Sequence, residues 1–130
     1  MKTTFLWAGV FGLTAIALGA LGTHSLKAIL SPSQLDSFEV GVRYQMYHTF
    51  FLLFIGVLQI TKPNLGLISV RNLTVIGIFG FSLSIYLLTM QTPWSFSIPF
   101  LWAITPLGGI VLMSAWLLFL VKIMLLTKDA

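Results

Sequence analysis

The side chains able to do chemistry in this chain are few, and they cluster. His24 and His48 are the two histidines, and Arg43, Tyr44, Gln45 and Tyr47 lead into the second of them. Ser82, Ser84 and Tyr86 form another group, and Thr105 opens a third with Pro106, Gly108 and Gly109. Two histidines at one depth could ligate a b-type haem. His24, however, closes an apolar run, and an interfacial histidine bonded to a tyrosine or carbonyl is the commoner arrangement. A zinc site lacks a third ligand at suitable spacing, and without cysteine there is no thiolate site, disulfide or covalent haem. Small proton-coupled exporters rely on a carboxylate inside a span. Here Asp36, Glu39 and Asp129 all lie outside the apolar runs. Nucleophile–base spacing, phosphate loops and intramembrane acid pairs are absent from the sequence, so we expect no enzyme, no metal and no cofactor. Ser82 and Ser84 read first as hydroxyls bonded to a carbonyl one turn back. Pro106 deprives the Trp102 carbonyl of its helical donor, a break that can hold a ligand or be merely structural.

These residues must be positioned by apolar elements, because little else is present. Of 130 residues, 58% are hydrophobic and 8% charged, against roughly 25% charged in soluble domains. Ten charges cannot dress the surface of a soluble protein of this size. The chain reads as an all-α integral membrane protein, one membrane domain over 1–130. Crossing about 30 Å of hydrocarbon takes about 20 apolar residues. Four runs qualify, 4–22, 44–60, 72–90 and 101–126, which predicts a four-transmembrane-helix bundle. An amphipathic helix over 32–43 leads into the second span. Ser31, Pro32 and Gln34 have the pattern of a capping box, while Leu35, Phe38 and Val42 share one face and Asp36, Glu39 and Arg43 another. A cleaved signal peptide over 1–22 is the rival reading; the run is long for one, and the rest would remain a membrane protein.

The seven basic residues are scattered singly at the edges of apolar runs, which suits topology signals and not a nucleic-acid surface. Lys2, Lys62, Arg71, Lys122 and Lys128 fall on the side of the termini, Lys27 and Arg43 on the other. This predicts a plasma (inner) membrane protein with both termini cytoplasmic.

Ala8, Gly12, Ala15, Gly19 and Gly22 form a continuous small-residue face, a packing seam inside the bundle or between subunits of a homo-oligomer. Chain direction brings the polar groups to the leaflet opposite the termini. There His24, Arg43, Tyr44, Gln45, His48, Ser82, Ser84, Tyr86 and Thr105 are expected to converge into one polar pocket, since polar groups in lipid must find each other or water.

Four segments in order, GALGTHSLKAIL (19–30), YQMYHTFFLL (44–53), FSLSIYLL (81–88) and ITPLGGIVLMSAWLLF (104–119), resemble the signatures of the family called domain of unknown function 423, the YgdD- and YwdK-like small membrane proteins. The resemblance covers nearly the whole chain and implies four inner-membrane spans, with no established activity or cofactor. The characteristic positions it implies are Gly22, His24, Leu26, Lys27, Tyr44, Gln45, His48, Ser82, Ser84, Tyr86, Thr105, Pro106, Gly108, Gly109 and Trp116. One departure stands out: Leu83 occupies a position where the pattern has glycine. The expected function is that of a non-enzymatic accessory or binding protein whose pocket takes a lipid or amphiphile. The alternatives are an oligomeric transporter or channel component and a haem- or quinone-binding anchor. Expected partners are membrane lipids, further copies of the chain or a larger membrane complex.

Overall fold

The computed structural model describes the backbone of residues 1–128 and the side chains of 1–125; Lys128, counted among the topology signals, and Asp129 fall outside the described side chains. Helix α1 spans Lys2–Thr23. A short 3-10 turn, Leu26–Ala28, leads to helix α2, Pro32–Thr61. The start of α2 is chemically specified. Gln34 N–H donates to Ser31 Oγ at 3.3 Å, and Ser31 N–H donates to Gln34 Oε1 at 2.9 Å, the reciprocal capping box, with Pro32 in the first turn. The amphipathic segment is therefore not a separate element: it runs straight into the apolar half of α2.

After a 3-10 turn at Pro63–Leu65, closed by Gly66 in the left-handed region (φ 59°), helix α3 covers Ile68–Ile78. It continues without a break through a π turn, Phe79–Leu83, into α4, Ser84–Gln91. Helix α5, Leu101–Lys128, carries Pro106 in its interior.

These helices make four antiparallel rods, because small residues let neighbouring backbones approach. Along α1 and α2, Phe5 meets Gly56, Gly12 meets Thr49, Gly19 meets Val42 and Gly22 meets Phe38. The small-residue face of α1 is thus turned inward onto α2, and Ala8 and Ala15 are buried there. The α3–α4 rod pairs with α5 in the same sense, through Gly77 with Leu112, Gly80 with Gly108, and Ser84 with Thr105. Helix α2 lies against α1, α3 and α4. Leu52, Ile55, Val70 and Ala115 are fully buried among them.

By length and composition three rods can cross a membrane: Lys2–Ala28, Ile68–Gln91 and Leu101–Leu125. Helix α2, which carries the expected span 44–60, is not among them. Its second half opens on Tyr44, Gln45, Tyr47 and His48 and ends near Gln59, and these polar residues lower its hydropathy relative to the other three rods.

Candidate functional site

The polar residues in the rods do not share one cavity. Seven of the nine expected pocket residues fall into three separate sets: one joins α2 to α1 and α4, one α2 to α5, and one α4 to α5. The cause is helical rotation: three residues along α2 turn a side chain by about 60°. Gln45 consequently faces α1 and α4, while His48 faces α5.

In the first set, Gln45 is buried between three rods. Its Nε2 donates to the Phe11 carbonyl and to Thr14 Oγ1, both at 2.8 Å, and its Oε1 accepts from Tyr86 Oη at 2.8 Å. Thr14 passes its own proton to the Val10 carbonyl at 2.8 Å. Tyr86 reaches this position because Gly41 is flat: a Cβ there would lie 2.7 Å from Tyr86 Cε1. Ser82 is fully buried beside Tyr86 without a hydrogen bond of full geometry.

In the second set, His48 uses both ring nitrogens. Trp116 Nε1 stands 3.2 Å from Nε2, and the Tyr44 carbonyl 2.7 Å from Nδ1. An indole nitrogen only donates and a carbonyl only accepts, so His48 holds its proton on Nδ1. Trp116 is pinned in turn by stacking on Phe51, with centroids 3.9 Å apart. Tyr44 is partly exposed and packs on Phe81.

The third set joins α4 to α5. Ser84 Oγ lies 2.6 Å from the Gly80 carbonyl, 2.9 Å from the Phe81 carbonyl and 2.7 Å from Thr105 Oγ1. Ser84 has one proton, and two carbonyls compete for it. Thr105 is therefore the donor between the two hydroxyls, and its lone pairs stay free.

His24 and Arg43 join none of these sets. His24 is exposed at the C-terminus of α1, and Arg43 is exposed with Glu39 at the edge of a crevice between α1 and α2. The two histidines are not brought onto one cavity. The nine residues expected in a single convergent pocket are thus spread over these sets and two exposed positions, and Gln45, Tyr86, His48, Ser84 and Thr105 close their hydrogen bonds locally.

A wider concavity lies elsewhere, at the rod ends opposite the termini. A groove of about 570 Å³ opens where the first turns of α2, the end of α4 and the first turns of α5 meet. Ser33, Gln34, Ser37, Thr89, Trp102 and Thr105 supply its polar lining, and Val40, Ile85, Leu88 and Pro106 its apolar one. No charged residue lines it among the described residues. Of the nine expected pocket residues, only Thr105 contributes. Gln34 carried only a capping signal in the sequence, and Trp102 only the loss of its carbonyl's helical donor to Pro106. The available clue was depth, since α2 begins, α4 ends and α5 begins on one side. A smaller crevice of about 230 Å³, lined by Gln45 and Tyr86 among apolar neighbours, opens between α1 and the π turn.

A family model described as a protein of unknown function, DUF423, matches residues 18–109. The UPF0382 membrane protein YwdK of Bacillus subtilis is 32% identical over 93% of this chain and 95% of its own. The UPF0382 membrane protein SSP2132 of Staphylococcus saprophyticus is 33% identical over 93% of this chain and 96% of its own. The UPF0382 inner membrane protein YgdD of Escherichia coli is 28% identical over 89% of this chain and 85% of its own. No solved structure matches.

Proposed function

Since the chain belongs to the DUF423 family of membrane proteins of unknown function, we propose that it is a non-enzymatic membrane protein that binds an amphiphile in the groove between α2, α4 and α5. In this reading all four rods cross the bilayer and both termini are cytoplasmic. The polar side chains of α2 are compatible with a span because its neighbours satisfy them: Gln45 and His48 are bonded to α1, α4 and α5, not left to lipid. Five of the seven basic residues then lie on the cytoplasmic side.

The observation that carries the reading is the groove itself. Its volume of about 570 Å³ falls within the roughly 300–1,000 Å³ of small-molecule sites. Ser33, Gln34 and Ser37 sit at the water-facing start of α2, Val40 and Ile85 lie deeper, and the Thr105 hydroxyl is at the depth of Ser84, which suits a ligand with a polar head and a largely apolar tail. Membrane lipids are its natural partners. The arrangement of His48, Ser84 and Tyr86 favours structure over catalysis, because each is committed to a partner within the chain.

Gentle purification followed by native mass spectrometry and lipidomics tests the proposal. The expected result is a retained amphiphile enriched over its share of the surrounding membrane, lost when Leu88→Trp fills the groove. A wild-type protein that retains only the bulk lipid mixture overturns it.

A further inference from the structure

A second recess lies on the other side of α2, against α1. Gly19, Gly22, Phe38 and Val42 form its floor, Glu39 and Arg43 stand at its rim, and its volume is about 230 Å³. On the α1 side the floor is bare backbone, because Gly19 and Gly22 carry no side chain. Their contacts also fix the depth. Gly22 is level with Phe38 and Gly19 with Val42. Glu39 is therefore level with the end of α1 at Thr23, and Arg43 lies one turn further in. Both are exposed, and neither makes an ion pair or hydrogen bond among the described residues. Their i,i+4 spacing permits a mutual pair, but an exposed pair of this kind adds little and is readily given up. Two opposite charges are thus left free above an apolar floor at a water boundary.

We propose that this crevice takes the headgroup of a phosphatidylethanolamine, with the phosphate on Arg43 and the ammonium on Glu39. The order of the charges carries the assignment. A phospholipid in this leaflet holds its phosphate nearer the hydrocarbon and its ammonium nearer water. The rim has the matching order, with the cation inside and the anion outside. The two positions are about 6 Å apart along α2, a distance that a phosphate and an ammonium joined by two carbons can bridge. Side chains lean toward the N-terminus of their helix, which for α2 is the water side. The Arg43 stem can therefore lie along the apolar floor while its guanidinium reaches phosphate depth. Guanidinium offers paired donors to phosphate, and a primary ammonium has three for the Glu39 carboxylate. A trimethylated ammonium has none, and an anionic lipid brings nothing for Glu39 to bind. The recess is smaller than the roughly 300–1,000 Å³ that encloses a small molecule, which suits a glycerol unit whose chains stay in the bilayer. The inference is separate from the groove and takes from the reading above only that α2 crosses the bilayer.

The test is competitive native mass spectrometry of the full chain in neutral detergent. The probes are dioleoyl phosphatidylethanolamine, phosphatidylcholine and phosphatidylglycerol, with glycerophosphoethanolamine as the headgroup without chains. The ethanolamine lipid is expected to bind about five- to tenfold tighter than either other lipid, the effect of one hydrogen bond at a wet rim. The headgroup without chains should compete poorly. Glu39→Gln should abolish the preference over the choline lipid, and Arg43→Gln should weaken all three lipids. Exchanging the charges, Glu39→Arg with Arg43→Glu, keeps the net charge but reverses the order, and should not restore the preference. Leu88→Trp lies in the groove on the far side of α2 and should leave it intact. Equal binding of the three lipids, preference for the anionic one, a preference that survives Glu39→Gln or the exchange, or equal binding of the headgroup without chains overturns the proposal. Loss of the preference in Leu88→Trp places the lipid in the groove, which overturns the crevice while supporting the amphiphile reading.

Discussion

Gly80 and Gly108 touch backbone to backbone where α5 crosses the π turn. A Cβ on Gly108 would fall onto the Gly80 carbonyl carbon and the Phe81 nitrogen, and one on Gly80 would lie 2.9 Å from Gly108 Cα. Neither clash can be relieved by turning a side chain. The widened π turn and the glycine pair bring Ser84 to Thr105 and set the α4 and α5 walls of the groove at their spacing.

Gly108→Ala is therefore expected to destabilise the protein by about 3 kcal/mol, the upper part of the usual overpacking range. Gly109→Ala is the control. Its Cβ would meet the Phe81 ring at 3.5 Å, an ordinary contact, and alanine is the better helix former by about 1 kcal/mol. It should be neutral or slightly stabilising. Thermal unfolding in detergent, followed by circular dichroism, separates the two. Equal melting temperatures for both variants would show that the crossing is looser than described.

The Gln45–Tyr86 bond gives a second, graded outcome. Tyr86→Phe deletes one donor and leaves Gln45 Oε1 buried without it, an expected loss of about 1 kcal/mol. Gln45→Leu leaves the Tyr86 hydroxyl without its acceptor and also removes the bonds to the Phe11 carbonyl and Thr14, so it should cost more. The double variant should cost less than the two losses added, because both remove the same bond. Strict additivity in a double-mutant cycle would mean that the bond contributes nothing.

The sequence was most legible where local chemistry decides. Ser31-Pro32 with Gln34 announces the start of α2 because the capping box is closed by residues three apart. The spacing of Ala8, Gly12, Ala15, Gly19 and Gly22 announces a packing face for a similar reason. What could not be read is which way each polar side chain turns about its helix axis. Gln45 and His48 are three residues apart yet serve α1 and α5 respectively, and only the positions of those helices decide it. Gly41 carried no signal at all, since its importance comes from the Tyr86 ring lying on it. The Leu83 substitution in the third motif proves benign for packing: the close approach is made at Gly80, and Leu83 is exposed.

His48 should carry its proton on Nδ1, with Nε2 accepting from the Trp116 indole. Nitrogen-15 spectra of protein labelled at histidine distinguish the two ring nitrogens, and His24, exposed at the end of α1, serves as an internal reference. Trp116→Phe keeps an aromatic ring on Phe51 but removes the indole donor. The expected loss is about 1 kcal/mol, with a shift confined to the His48 signals. A wild-type spectrum with the proton on Nε2 would contradict the Trp116 contact.

Crossing of the membrane by α2 can be decided with single cysteines, since the chain has none of its own. Asn64 and Ser97 are both exposed, the first in the turn after α2 and the second in the loop after α4. If every rod spans, these two loops lie on opposite sides of the bilayer, with Asn64 on the side of the termini. Asn64→Cys should then react with a membrane-impermeant maleimide only after lysis of intact cells, and Ser97→Cys should react before it. Both outcomes follow from the polar half of α2 being held by its neighbours, not by water. If α2 instead lay along the surface, three crossings would remain and the pattern would invert: Asn64→Cys would react before lysis and Ser97→Cys only after it.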